Sequence, residues 1–330
     1  MADGAPLAGV TMTLSGARSA ATITDRNGNY HFDGVDTENF YTVTPSLVNY
    51  RFAPENRSFS LLGNKSDAVF TGTPDSLITS NAIDSTEYFV RQQYLDFLGR
   101  EPDQDGFYYW TEQINRCGTD GDCIRARRVD ISAAFFIEQE FQQTGSFIFR
   151  LYKAGLGRQL NYGEYTADRR QVVAGTGLDS SKQAFADAFV QRAEFVQKYQ
   201  ANTNAASFVD ALLQTIGAVG VDLSSERSNL IATYNSGHSL NESRSLVVKE
   251  AGDNPAISTA VYNQAFVLME YFSYLKRDAD QGGYDFWLNV LNNRERGNYR
   301  GMVCAFLTSA EYQRRFAPLI TRSNSECGTR

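Results

Sequence analysis

The stretch Phe89–Trp110, FVRQQYLDFLGREPDQDGFYYW, returns 177 residues later as Phe266–Trp287, FVLMEYFSYLKRDADQGGYDFW. Phe89, Val90, Tyr94, Leu98, Arg100, Asp103, Gln104, Gly106 and Trp110 recur as Phe266, Val267, Tyr271, Leu275, Arg277, Asp280, Gln281, Gly283 and Trp287, without a gap. A chain that repeats itself must solve one packing problem several times, each copy burying a face that a neighbour supplies.

Within a copy the frame is helical. Phe89, Val90, Tyr94, Phe97 and Leu98 mark one helix face. Gly99 stands where a helix commonly ends in left-handed geometry. Pro102 and Asp103 restart the chain, with Asp103 as N-cap, and Phe107, Trp110 and Ile114 carry the next apolar face. A third helix is expected to run to about Gln142 and to end in AFFIEQEF (134–141), which returns as AFVQRAEF (188–195) and AFLTSAEY (305–312). The spacing therefore predicts four copies near 86–142, 147–199, 207–263 and 264–316, roughly a dozen helices within an all-α region at 86–318. The second copy keeps Phe147, Tyr152, Leu156, Gly157 and Arg158. The third is the most degenerate, with Phe208, Val209, Ile216 and Gly217 as its remnants.

Residues 1–73 read differently. Alternation of period two at Val10–Leu14 and Ala20–Thr24, then short β-rich runs at 30–32, 40–44, 50–52, 57–60 and 68–71, predicts about seven strands of a small β-sandwich. Asn27–Gly28 supplies the positive φ of a tight hairpin turn. Residues 74–85 read as a polar linker whose end, Asp84-Ser-Thr-Glu87, caps the first helix. Residues 319–330 form a tail.

Two resemblances follow from these residues. PLAGV (6–10), LSG (14–16), TDRNGNYHF (24–32), YTVTP (41–45) and YRFAP (50–54) together resemble the carboxypeptidase-regulatory-like sandwich of transthyretin topology. That family implies a strand before Pro6-Leu-Ala-Gly, so an incomplete edge is expected, to be completed by a neighbour's strand. The repeat YLDFLGREPDQDGFYYW (94–110) resembles the bacterial family catalogued as domain of unknown function 4214, whose members occur in secreted and surface-associated proteins.

Cys117 and Cys123 bracket a short Gly-containing loop, while Cys304 and Cys327 bracket the last helix and the tail. Proximity favours 117–123 and 304–327 among the three pairings four cysteines allow. Disulfides imply an oxidising compartment. The opening MADGAPLAGV has neither the basic nor the apolar part of a secretory leader, so a mature start is expected. No stretch is as long and apolar as a membrane span. With 31 Lys and Arg against 38 Asp and Glu, the net charge of −7 argues against nucleic acid as partner.

Arg100, Arg158 and Arg277 recur at the first turn, and Glu140, Glu194 and Glu311 in the closing segment, which predicts structural ion pairs. Asp103 and Asp105 have the alternate-position oxygens of a calcium loop. Calcium is the candidate cofactor, and helix capping accounts for Asp103 equally well. Trp110 and Trp287 are expected to fill helix cores, with a sugar platform as their functional alternative. His31 and His238 belong to no nucleophilic or metalloprotease motif. The expectation is a non-enzymatic extracellular or cell-surface protein, structural or adhesive, whose partner is itself, as a filament or surface layer, or a surface glycan. The alternative is a carbohydrate-binding accessory module of a larger secreted enzyme, its sandwich reading sugars through Tyr41 and Tyr50.

Overall fold

A computed structural model describes residues 1, 2 and 4–327. Asp3, and the last three residues of the predicted tail, lie outside the described residues. The chain is a small all-β sandwich followed by helices, six strands and then sixteen α-helices among the described residues. Contacts divide it into two compact units, 1–134 with 300–330, and 135–299.

Strands β1 (Thr11–Gly16), β2 (Ala20–Ile23), β3 (Asn39–Ser46), β4 (Tyr50–Ala53), β5 (Arg57–Leu61) and β6 (Thr71–Pro74) form two antiparallel sheets. One has the order β2-β1-β3-β5 and the other pairs β4 with β6. Register follows the alternation: Met12 opposes Pro45 and Leu14 opposes Val43, placing these side chains on the inner face with Tyr41, while Thr13 faces out. Val10, Met12, Leu14, Tyr41, Val43 and Phe70 form the buried cluster, with Phe52 and Phe59 packed against it.

The sandwich departs from expectation in three places. Asp25 builds the predicted turn by accepting from the N–H groups of Asn27 and Asn29 at 2.8 and 2.9 Å, with Gly28 at φ 74°. Tyr30–Phe32, however, forms no ladder. Its two rings pack on the core as side chains, and the Tyr30 hydroxyl donates to the Ala68 carbonyl at 2.7 Å. The last strand begins at Thr71, where the predicted one ended, and Phe70 just before it is buried in the core. The edge beside β6 is not bare either: the Gly72 N–H donates to the Met1 carbonyl at 2.6 Å, and the Met1 amino group donates to the Phe70 carbonyl at 2.8 Å.

The linker is anchored rather than loose. Asn81 is fully buried, and its amide donates to the carbonyls of Gln313 and Leu319 at 3.1 and 2.9 Å. Ser85 occupies the N-cap position of the first helix, but its hydroxyl turns back to the Ala82 carbonyl at 3.1 Å instead of capping. The Asp84 carboxylate accepts from Arg322 at 3.0 Å.

The helices come in four sets of four, one set per sequence copy. The first is α1 (Thr86–Gln93), α2 (Gln104–Asn115), α3 (Gly121–Ile137) and α4 (Gln139–Gln143). The second is α5 (Gly145–Leu156), α6 (Tyr162–Asp168), α7 (Leu178–Phe189) and α8 (Ala193–Lys198). The third is α9 (Ala205–Ala218), α10 (Arg227–Ser236), α11 (Leu240–Asp253) and α12 (Pro255–Ala260). The fourth is α13 (Tyr262–Glu270), α14 (Gln281–Asn289), α15 (Tyr299–Leu307) and α16 (Ala310–Gln313). The count exceeds a dozen because each predicted third helix breaks. Glu138, Arg192, Asn254 and Ser309 all take extended backbone, with ψ between 127° and 143°. Each break turns a fourth helix whose third residue is wholly buried: Phe141, Phe195, Ile257 and Tyr312.

In the first unit the first helix of copy one packs against the last helices of copy four, and Arg315 donates to the buried Asp96 at 2.8 Å. In the second unit the close of copy one meets the opening of copy four, Phe136 standing edge-to-face on Phe266 at 4.8 Å. The disulfides are Cys117–Cys123, closing the α2–α3 loop, and Cys304–Cys327, tying the tail to α15, with Cα separations of 5.5 and 5.7 Å. No helix among the described residues is long and apolar enough to cross a membrane.

Candidate functional site

The repeated motif builds a corner. The first helix loosens into a π turn at Tyr94–Leu98 and stops at Gly99, φ 69°. Copy four repeats the π turn at Tyr271–Leu275, with Lys276 left-handed at φ 56°. Asp103 then caps α2 by accepting from the Gly106 N–H at 2.8 Å, and Asp280 caps α14 from Gly283 at 2.8 Å. The Gly106 N–H is the first cause of the Asp103 carboxyl lying below its usual range; burial opposes it and Arg100 adds to it. The repeated glycine has a steric reason. A Cβ on Gly106 would lie 2.1 Å from the Tyr94 hydroxyl, and one on Gly283 would lie 2.2 Å from that of Tyr271. The guanidiniums of Arg100 and Arg277 lie over the same tyrosine rings at 5.0 and 5.2 Å.

Copy two keeps the Arg and rebuilds its surroundings. Arg158 lies over Tyr152 at 5.2 Å and forks to both oxygens of Glu194 at 2.6 and 2.8 Å, and to Glu164 at 2.6 and 3.0 Å. Glu164 also closes a capping box with Asn161. The bonds to Glu194 and then Glu164 raise the Arg158 pKa, and the same fork holds the Glu194 carboxyl below its usual range. Glu140 and Glu311 take the place of Glu194, second in α4 and α16. Arg100 and Glu311 belong to the first unit, and Glu140 and Arg277 to the second. Where copies one and four have Trp110 and Trp287, copy two has Asp168, buried and held by Arg192 at 2.7 and 2.8 Å and by the Tyr152 hydroxyl at 2.8 Å.

Two sequence expectations shift here. Trp110 and Trp287 are half-buried, not core. The buried stripe of α2 is Phe107, Thr111 and Ile114, and each Trp flanks its stripe, edge-to-face with Tyr109 at 4.8 Å or Phe286 at 5.1 Å. Tyr41 is 1% exposed inside the sandwich, with its hydroxyl donating to the Asp36 carbonyl, and so offers no face to a sugar. Asp105 is exposed in the first turn of α2. Among the described residues no group of three or more His, Cys, Asp or Glu is placed to hold a metal.

Buried charge elsewhere is absorbed in ties. Lys182 is buried between Gln143 and Asp253, the latter at 2.7 Å. Arg128 is buried against Phe89 and donates to the carbonyls of Ile83 and Asp84. Among the described residues Glu270 is the exception: it is fully buried, neither carboxyl oxygen has a hydrogen-bond partner there, and burial pushes its pKa well up. Its counterpart in copy one is Gln93, an amide that accepts from Ser132 at 2.8 Å.

One open cleft contains no charge at all. About 430 Å³ is lined by Ser258, Thr259, Ala260, Tyr262, Asn263, Gln264, Leu288, Asn292 and Tyr299, within the range small ligands occupy. The Tyr299 hydroxyl donates to the Asn263 side-chain oxygen at 2.7 Å, and the Asn263 amide donates to Asn292 at 2.6 Å. Sequence reasoning missed these residues because they form no motif. For those from Ser258 to Gln264 the one signal is the uncharged run from Asn254 to Met269 in a chain that is 21% charged overall.

The family model described as Domain of unknown function (DUF4214) matches residues 78–122 and 254–316. Both segments contain the corner, and the second contains the whole cleft. No curated protein and no solved structure matches the chain.

Proposed function

We propose that this protein is a non-enzymatic extracellular adhesive protein, in which the repeated corner is scaffold and the uncharged cleft at the junction of copies three and four is the binding surface. The cleft carries the reading. Acid–base and nucleophilic chemistry need titratable groups converging on an open pocket, whereas this one presents amides, hydroxyls and tyrosines. The two disulfides support an oxidising, extracellular setting. The two-sheet arrangement supports a sandwich of the carboxypeptidase-regulatory-like kind, serving as spacer. As an accessory module of a larger secreted enzyme, the chain would use the same cleft. Self-assembly by strand addition at β6 would have to displace Met1 from that edge.

The test is retention under flow. Beads carrying the purified protein should be held on surfaces coated with polysaccharide or with extracellular protein, and light scattering should show whether it assembles. Retention no greater than that of albumin beads on every coat, with a strictly monomeric particle, would contradict both the adhesive and the structural forms.

A further inference from the structure

We infer that the cleft between α12, α13 and Tyr299 is a binding site for a neutral saccharide. This inference rests on the adhesive reading above and names its ligand class. Adjacent sugar hydroxyls each donate and accept, so they suit a wall of amides and hydroxyls held at fixed spacing. The Asn263 amide is fixed from both ends, by the Tyr299 hydroxyl at 2.7 Å and by Asn292 at 2.6 Å. That leaves the amide nitrogen of Asn292 with two hydrogens to donate, and the Tyr299 oxygen able to accept. Among the described residues the side chains of Ser258, Thr259 and Gln264 form no hydrogen bond, so their groups also face the cleft uncommitted.

The apolar half is equally ordered. Tyr262 and Tyr299 stand edge-to-face at 5.6 Å. Behind them the wholly buried Phe136 braces Tyr262 at 5.5 Å, and the wholly buried Phe266 braces Tyr299 at 4.8 Å. Rings fixed before binding lose little conformational freedom to a ligand, and they offer surface to the C–H faces of a sugar. Leu288 and Ala260 extend that surface. The lining has no cation to pair with a phosphate, sulfate or carboxylate, and an anion buried there would be uncompensated. A neutral ligand fits; a sialylated or sulfated one does not. Copy one has Ser85, Thr86 and Glu87 at the positions of Tyr262, Asn263 and Gln264. The site therefore belongs to the junction of copies three and four and is not shared by copy one.

The experiment uses the intact chain on an array of neutral hexose oligosaccharides, with sialylated and sulfated glycans and extended peptides as contrasts, followed by calorimetric titration of the best neutral glycan. Asn292 is exposed, so Asn292→Ala should fold normally and bind about tenfold more weakly, and Tyr299→Phe should weaken binding severalfold. The inference is overturned if no neutral glycan binds at millimolar concentration, if both variants bind like the parent, or if anionic glycans or peptides are preferred. Beads that adhere while the array stays blank would remove the saccharide and leave the adhesive reading. Inert beads with a neutral-glycan hit abolished by Asn292→Ala would do the reverse.

Discussion

Replacing Gly106 with alanine puts a methyl carbon 2.1 Å from the Tyr94 hydroxyl oxygen, well inside contact distance. The tyrosine ring is buried, at 4% exposure, so it cannot swing into solvent to make room. Overpacking of this kind costs about 1–3 kcal/mol. Alanine's better helix propensity returns up to about 1 kcal/mol, and the backbone of Gly106 is not left-handed, so no strain is added. The net loss should be about 1–2 kcal/mol, or roughly 3–6 °C in melting temperature for a unit of this size. Thermal and urea unfolding followed by far-ultraviolet circular dichroism would measure it. A double-mutant cycle sharpens the test. In a Tyr94→Phe background the hydroxyl is gone, and Gly106→Ala should become nearly neutral, a coupling of about 1 kcal/mol or more. The reasoning fails if Gly106→Ala leaves stability unchanged or raises it in the parent, as it would at an uncrowded helix position, or if the cycle shows no coupling.

Glu270→Gln should stabilise the protein at pH 7 by on the order of 1 kcal/mol, because it removes a buried ionisable group without a partner. Burial raises the folded pKa of Glu270. As pH rises above the unfolded carboxylate range, the unfolded state ionises first and stability is lost; below about pH 4 both states are protonated. Melting curves at pH 7 and pH 4 should therefore show the gain at the former only, and an equal gain at both would refute the assignment. Arg158→Met should cost about 1–2 kcal/mol by urea unfolding; the figure is kept low because Arg158 and Glu194 are 37% and 49% exposed and screened by water. Glu164 and Glu194 have folded pKa values below the usual range, so the fork's contribution is complete above about pH 4.5 and fades as pH falls through the folded values. The gap between parent and variant should close in acid, and a gap independent of pH would contradict the fork.

Much of the scaffold is legible in the sequence because local rules decide it. Gly99 and Asp103 announce a helix stop and a helix start, and the chain obeys. The Arg158–Glu194 pair is readable from recurrence alone. The steric partner of Gly106 is not, because the Tyr94–Gly106 approach depends on how two helices cross. Nor is the break at Glu138, which lacks any breaker residue and is imposed by burying Phe141. Tyr30–Phe32 has the alternation of a strand but finds no ladder partner, so its pattern records only a buried face. The cleft is least legible of all. Its residues come from α12, α13, α14, the turn after α14 and the first residue of α15, and what distinguishes it is the charge it lacks.

The central claim is that the repeated residues hold the fold while residues particular to the junction of copies three and four bind the ligand. Parallel calorimetric titration and melting of Arg158→Met and Asn292→Ala, against the neutral glycan selected by the array, tests it most directly. The account predicts that Arg158→Met lowers the melting temperature and binds like the parent, and that Asn292→Ala melts like the parent and binds about tenfold more weakly. Loss of binding in Arg158→Met at a temperature where it remains folded, or full binding in Asn292→Ala, would contradict it.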